Sequence, residues 1–138
     1  MKKIIALDIG EKRIGVAVSD SLGMLAHPLI TLKWKGIARL IEDMRKLADE
    51  NEAATFVIGV PYTMRGTRSK KTNEIKTIID ELKKQPEWTI VEADERLTTQ
   101  MAHQTLHNVG KKPSKHRDKV DQIAAVHILQ TYLDGLSK

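Results

Sequence analysis

The segment Thr55 to Val60 restricts the fold more than any other, because it is short, continuously apolar and closed by Pro61. Alternate side chains of a strand point to opposite faces, so a strand apolar on both faces must be covered on both. Amphipathic stretches stand on either side of it. Upstream, Ile37, Leu40, Ile41, Met44, Leu47 and Ala48 recur at helical spacing, with Glu42, Arg45, Lys46 and Asp49 on the other side. Downstream, Ile75, Ile78, Ile79 and Leu82 do the same, and a further strand is expected from Trp88 to Ala93. Strand and helix in alternation imply parallel pairing.

The first third of the chain has a different rhythm. Lys3 to Gly10 reads as a buried strand running into a glycine turn, and Arg13 to Ser19 as a second strand in which Ile14, Val16 and Val18 alternate with Gly15 and Ala17. Asp20-Ser21-Leu22-Gly23 is a turn, and Leu25 to Leu32 a third strand. Two helices, Leu97 to Asn108 and Asp118 to Leu136, close the chain around a basic linker at 110–117. The expected fold is α/β: an antiparallel meander followed by βα units, giving a mixed five-stranded sheet flanked by helices. A length of 138 residues is that of one domain, 1–138, too short for two lobes that close on a substrate.

The chain has no cysteine, which removes disulfides, thiolate metal sites and cysteine nucleophiles. Its start is basic, but the following apolar run ends at Asp8, and no stretch is long enough to span a membrane. A cytoplasmic protein with no membrane partner is expected, its oligomeric state open between monomer and homodimer.

Asp8 is an acid where a hydrophobic strand should continue. It shares a face with Ile4 and Ala6, and a carboxylate there is costly without a partner. A turn aspartate bonding nearby amides is the plain alternative to a metal or phosphate role. Glu95 likewise extends the face of Val91 and Ala93 beyond a strand end, while Asp94 is a candidate helix cap. Asp118 and Asp121 lie on one side of the last helix at its start, where capping and the helix dipole explain both, although Val120, Ile123 and Ala124 flank Asp121 with core-facing residues. Together these are two strand-end carboxylates and one or two from a helix. Oxygen-only sites of this kind suit Mg²⁺ or Mn²⁺, and two such ions about 3.5 to 4 Å apart serve phosphodiester cleavage.

Lys and Arg total 23 against 18 Asp and Glu, a formal charge of +5 that favours an anionic partner. The cations recur beside the acids: Lys12 and Arg13 after Asp8; Arg65, Arg68, Lys70 and Lys71 after the apolar strand; Arg96 after Glu95; Lys111, Lys112, Lys115, Arg117 and Lys119 before Asp121. An acidic centre rimmed by cations is what a phosphodiester substrate requires. The 65–71 and 111–119 stretches, poor in apolar residues, are expected to be mobile loops that grip the substrate backbone. His103 and His107 stand one helical turn apart, but the acid and third ligand of a metalloprotease motif are missing, and solvated surface is the better reading. His127 is read as partly buried. Tyr62, Met64, Trp34 and Trp88 could stack on bases, yet with 4% aromatics no extensive platform is expected, and core packing suits Trp88 better.

Ala6 to Asp20, Asp94-Glu95-Arg96-Leu97-Thr98-Thr99 and Val120 to Gln130, supported by Ala26-His27-Pro28-Leu29 and Ile58-Gly59-Val60-Pro61, resemble the YqgF/RuvX family of nucleases and Holliday junction resolvases. The resemblance covers nearly the whole chain. It implies an RNase H-like fold, a Mg²⁺-dependent nuclease and a role in maturing the 5′ end of pre-16S ribosomal RNA, with branched DNA as the alternative substrate. The family's acids carry over to Asp8, Glu95 and Asp121, with Asp118 a further metal-binding candidate. The chain departs from the family at Arg65, where a small polar or acidic residue is frequent. Asp-x-Gly followed by a hairpin also resembles the phosphate-binding start of actin-like ATPases and sugar kinases, which need a second lobe. A nucleic-acid-binding module that does not cleave is the remaining rival, and retention of the three acids argues against it.

Overall fold

Alternating burial in the first strands and helical spacing in the middle produce the elements expected. The computed structural model describes residues 2–96 and 117–136, with side chains of the final helix from 120 onward. The elements are β1 (Lys3–Ile9), β2 (Arg13–Ser19), β3 (Ala26–Lys33), α1 (Ile37–Asn51), β4 (Ala53–Val60), α2 (Lys70–Leu82), β5 (Thr89–Asp94) and α3 (Arg117–Leu136). They form a five-stranded sheet in the order β3-β2-β1-β4-β5. β1 pairs antiparallel with β2, and β2 with β3, while β4 runs parallel to both β1 and β5.

The two faces of the sheet carry separate cores. Ile5, Leu7, Ile9, Ile14, Val16, Phe56, Ile58 and Val60 point to α1 and α2, which bury Leu40, Met44, Leu47, Ile75, Ile79 and Leu82 against them. Ala6, Ala17 and Val57 point the other way, under Ala125, Ile128, Leu129 and Leu133 of α3. Small residues at Ala6 and Ala17, which are Cα partners across β1 and β2, allow that helix to lie close to the sheet. Phe56 to Val60 are buried on both faces, as the continuous apolar run requires. Trp88, just ahead of β5, is buried and meets Phe56 edge-on at 5.0 Å between ring centroids.

The segment after β4 differs from the expected mobile loop. Lys70 and Lys71 belong to α2, whose start is fixed by a capping box: the Ser69 hydroxyl accepts from Thr72 N–H, and Thr72 Oγ1 accepts from Ser69 N–H. Ahead of it, Thr63 N–H donates to Thr67 O at 3.0 Å, Gly66 N–H to Thr63 O at 2.8 Å, and Tyr62 bridges to Arg68. Thr, Ser and Gly supply local hydrogen bonds here in place of apolar packing. The expected helix at 97–108, with His103 and His107, lies outside the described residues, as do Lys111, Lys112 and Lys115. Arg117, Asp118 and Lys119 begin α3, with side chains outside the described set.

Candidate active site at the end of the central strands

Asp8 stands at the end of β1 on the α3 side of the sheet, one alternation beyond Ala6. Its Cα partner in β2 is Gly15. On the other side, the pairing of Leu7 with Ile58 sets Gly59 of β4 alongside. The two glycines therefore flank Asp8, and each is crossed by another part of the chain. A Cβ on Gly15 would overlap the main-chain carbonyl of Asp121, so the start of α3 rests directly on β2. A Cβ on Gly59 would lie 2.7 Å from Ile128 Cδ1 and 2.9 Å from Glu95 Cγ, so the Glu95 side chain folds across β4. Glu95 N–H donates to Val60 O at 3.0 Å, carrying the β4–β5 ladder one residue past β5 and fixing that side chain at the sheet end.

Glu95 and Asp8 are hydrogen-bonded, and the Glu95 carboxyl is pushed up to about 9. Burial is the largest cause, followed by the hydrogen bond to Asp8 and the Asp8 charge; Asp94 adds to the rise and Lys71 opposes it. Near neutral pH Glu95 thus keeps its proton. Asp121 reaches the site differently. Its backbone lies over Gly15, but its carboxylate accepts from Arg13 Nε at 3.0 Å. Of the three acids expected to converge, the structure pairs Asp8 with Glu95, while the Asp121 carboxylate is turned to a cation. Among the described residues no group of three or more His, Cys, Asp or Glu is assembled as a ready-made metal cage. Three packed carboxylates would repel one another, and Arg13 supplies the counter-charge.

The other cations fall into two groups. Lys12, Arg65, Arg68 and Lys70 are exposed. Arg96 is held by Asp94 through Nε at 3.0 Å and Nη2 at 2.5 Å, lies 5.8 Å above the Tyr62 ring, and covers Gly66, whose φ of 83° suits only glycine. It clamps the 62–68 turn to the residue next to Glu95. The Arg96 guanidinium holds the Asp94 carboxyl below its usual range. Burial lowers the imidazole pKa of His127, which is partly buried as expected.

Sequence reasoning missed Gly15, Gly59 and the Arg13–Asp121 pair. Glycine inside a strand was the available signal, since it marks close approach of another part of the chain. Gly15→Ala is expected to cost about 3 kcal/mol or more, because the obstacle is backbone. Gly59→Ala should cost less, as Ile128 Cδ1 can shift, yet it should displace Glu95. Urea denaturation of the two variants, with a pH titration of Glu95 in the second, checks both; equal stability losses would contradict this difference.

A family model described as "RuvX: Holliday junction resolvase" matches residues 2–135. The chain belongs to this family. A relative from Chloroflexus aurantiacus, 41% identical over 96% of this chain and 86% of its own length, is named "Putative pre-16S rRNA nuclease". One from Clostridium botulinum carries the same name at 38% identity over 99% of each chain. RuvX is thus a nuclease family, of the class of hydrolases acting on ester bonds. Among solved structures, the Fowlpox virus resolvase in complex with Holliday junction DNA aligns over 99% of both chains with a TM-score of 0.60 at 11% identity. The Thermus thermophilus RuvC structure with a Holliday junction substrate gives 0.59 at 11% identity, over 99% of this chain and 96% of that one. The fold is the RNase H-like fold of the resolvases.

Proposed function

We propose that this RuvX member is a divalent-metal-dependent nuclease that cleaves structured nucleic acid at Asp8, Glu95 and Asp121, with pre-16S ribosomal RNA as the substrate that its relatives' name points to. The observation that carries the reading is the Asp8–Glu95 pair: two hydrogen-bonded carboxyls in a slot between two glycines. The donor set is all oxygen, the chemistry Mg²⁺ and Mn²⁺ favour. Asp8 and Glu95 would hold the ion, Glu95 giving up its proton to it, and Asp121 would join them on leaving Arg13, with Asp118 a further candidate at the start of α3. An ion held by these residues would neutralise charge at the phosphodiester and make water a stronger acid.

The chain's own groups do the rest. Asp8 and Glu95 face each other at the reacting phosphate, and Arg13, once released from Asp121, offers its guanidinium to a phosphate oxygen. Lys12, Arg65, Arg68 and Lys70 neutralise neighbouring phosphates, while Arg96 holds the loop beside Glu95 in place. The molecule acts as a single domain in the cytoplasm, and among the described residues no helix is long and apolar enough to cross a membrane.

The test is cleavage of structured RNA and of a four-way DNA junction by the purified protein, with Mg²⁺, with Mn²⁺ and with chelator. Metal-dependent cutting of RNA supports the reading; cutting of the junction alone assigns the DNA substrate named by the family description, and no cutting of either sinks the nuclease. Lys111, Lys112 and Lys115 are proposed to contact phosphates as well. Changing all three to Ala should weaken binding to every sequence alike and flatten the dependence of log K on log salt by about 2 for single strands. An unaltered slope would remove that segment from the interface.

A further inference from the structure

On the face of the sheet opposite Asp8, at the same end of β1, lies an open cavity of about 500 Å³. Ile9 of β1, Trp34 after β3, and Lys71, Glu74, Ile75 and Ile78 of α2 line it. Trp34 is half-buried, and its main-chain N–H donates to Lys12 O at 2.9 Å, which ties its segment to the β1–β2 turn beside the acids. Phosphodiester cleavage as described above has no use for this cavity. Its lining is nevertheless suited to one kind of ligand. An indole with three isoleucines offers apolar surface to a planar ring, and Glu74 can accept from ring or exocyclic N–H groups. Lys71 brings a cation to the same cavity and also acts electrostatically on the Glu95 carboxyl, so the cavity and the acid site share a charge.

We infer that this cavity takes an unpaired nucleobase of the substrate strand, next to the phosphate held at the acids, with Lys71 on the backbone between them. The inference rests on the nuclease reading for the identity of the strand. A base extruded from its stack is recognised by an aromatic surface and a few polar groups, and Trp34 with Glu74 is such a combination. The geometry makes one base, and not an extended run, the occupant: Trp34 is the single aromatic residue among the described residues of the lining.

Binding in chelator tests this without cleavage. A labelled single-stranded RNA is compared, by fluorescence anisotropy, with an abasic ribose-phosphate oligomer of equal length. The protein should prefer the RNA, Trp34→Ala should weaken RNA binding about tenfold while leaving the abasic oligomer unaffected, and Trp34→Phe should restore most of the difference. Equal binding of both probes by wild type and by a folded Trp34→Ala overturns the proposal. A measurement without any variant stands beside it: guanosine monophosphate should shift the indole N–H resonance of Trp34 where ribose 5-phosphate does not, and no shift at millimolar concentration also overturns it. Because every probe is read in chelator, absence of cleavage in Mg²⁺ strikes the nuclease reading and leaves these results to judge the cavity.

Discussion

Asp8→Asn should lower metal-dependent cleavage by about 10³-fold while the protein stays folded. The amide keeps the shape of the carboxylate but loses the charge opposite Glu95, and an interaction worth about 4 kcal/mol at the transition state corresponds to that factor. Packing is not at risk. Asp8 is only half-buried, Gly15 and Gly59 still leave its slot open, and the amide can still hydrogen-bond to Glu95. The variant also removes the charge that opposes ionisation of Glu95, so in chelator its stability should fall less than that of the wild type as pH rises toward the range in which Glu95 ionises. Turnover measured with Mg²⁺, alongside a circular dichroism melt, decides the matter: full activity in a folded variant would rule out the acid pair as the centre.

The second large effect concerns pH. The Glu95 carboxyl has an ordinary value of 4.5 and one of about 9 in the fold. Between those values the folded protein holds a proton that the unfolded chain has released, so this contribution is fully present below the lower value and declines as pH rises toward the upper one. The limit is about 1.4 kcal/mol per pH unit. His127 opposes it, since its lowered pKa makes the fold favour the neutral ring as pH rises through the ordinary histidine range. Asp20, Glu92 and Asp94, all depressed, act only at the acid end, where their stabilisation is lost as pH falls through their folded values. Glu95→Gln isolates the effect. In chelator the wild type should lose urea resistance from about pH 6 to about pH 8 relative to the variant, and Mg²⁺ or Mn²⁺ should reduce the loss. Parallel pH profiles for the two proteins would refute it.

Strand and helix identity was legible wherever one periodicity ruled. Arg13 to Ser19 matches β2, and the both-face apolar character of β4 announced the parallel part of the sheet. β3 begins and ends one residue later than expected, because an edge strand with largely exposed residues carries little patterning. The acids were legible as breaks in apolar faces, since a charge there contradicts the burial around it. What could not be read was which acid pairs with which partner. Arg13 and Asp121 are 108 positions apart, and their ion pair is created by the fit of α3 onto Gly15, a three-dimensional event with no local trace. Lys70 and Lys71 were misplaced for the opposite reason: their charge suggested a loop, while the capping box that brackets them, Ser69 before and Thr72 after, began a helix.

The contact of α3 with β2 also has a temporal meaning. β1 and β2 leave the ribosome well before the residues that lie over Gly15 and Gly59, Asp121 and Ile128. Contacts of such sequence separation must overcome a long loop closure and form late. A nascent chain, or one shortened before α3, would therefore carry Asp8 and Glu95 without the cover that excludes water from them. Degradative capacity would arise only once α3 has docked, so that the order of synthesis itself restrains a nuclease made in the midst of RNA.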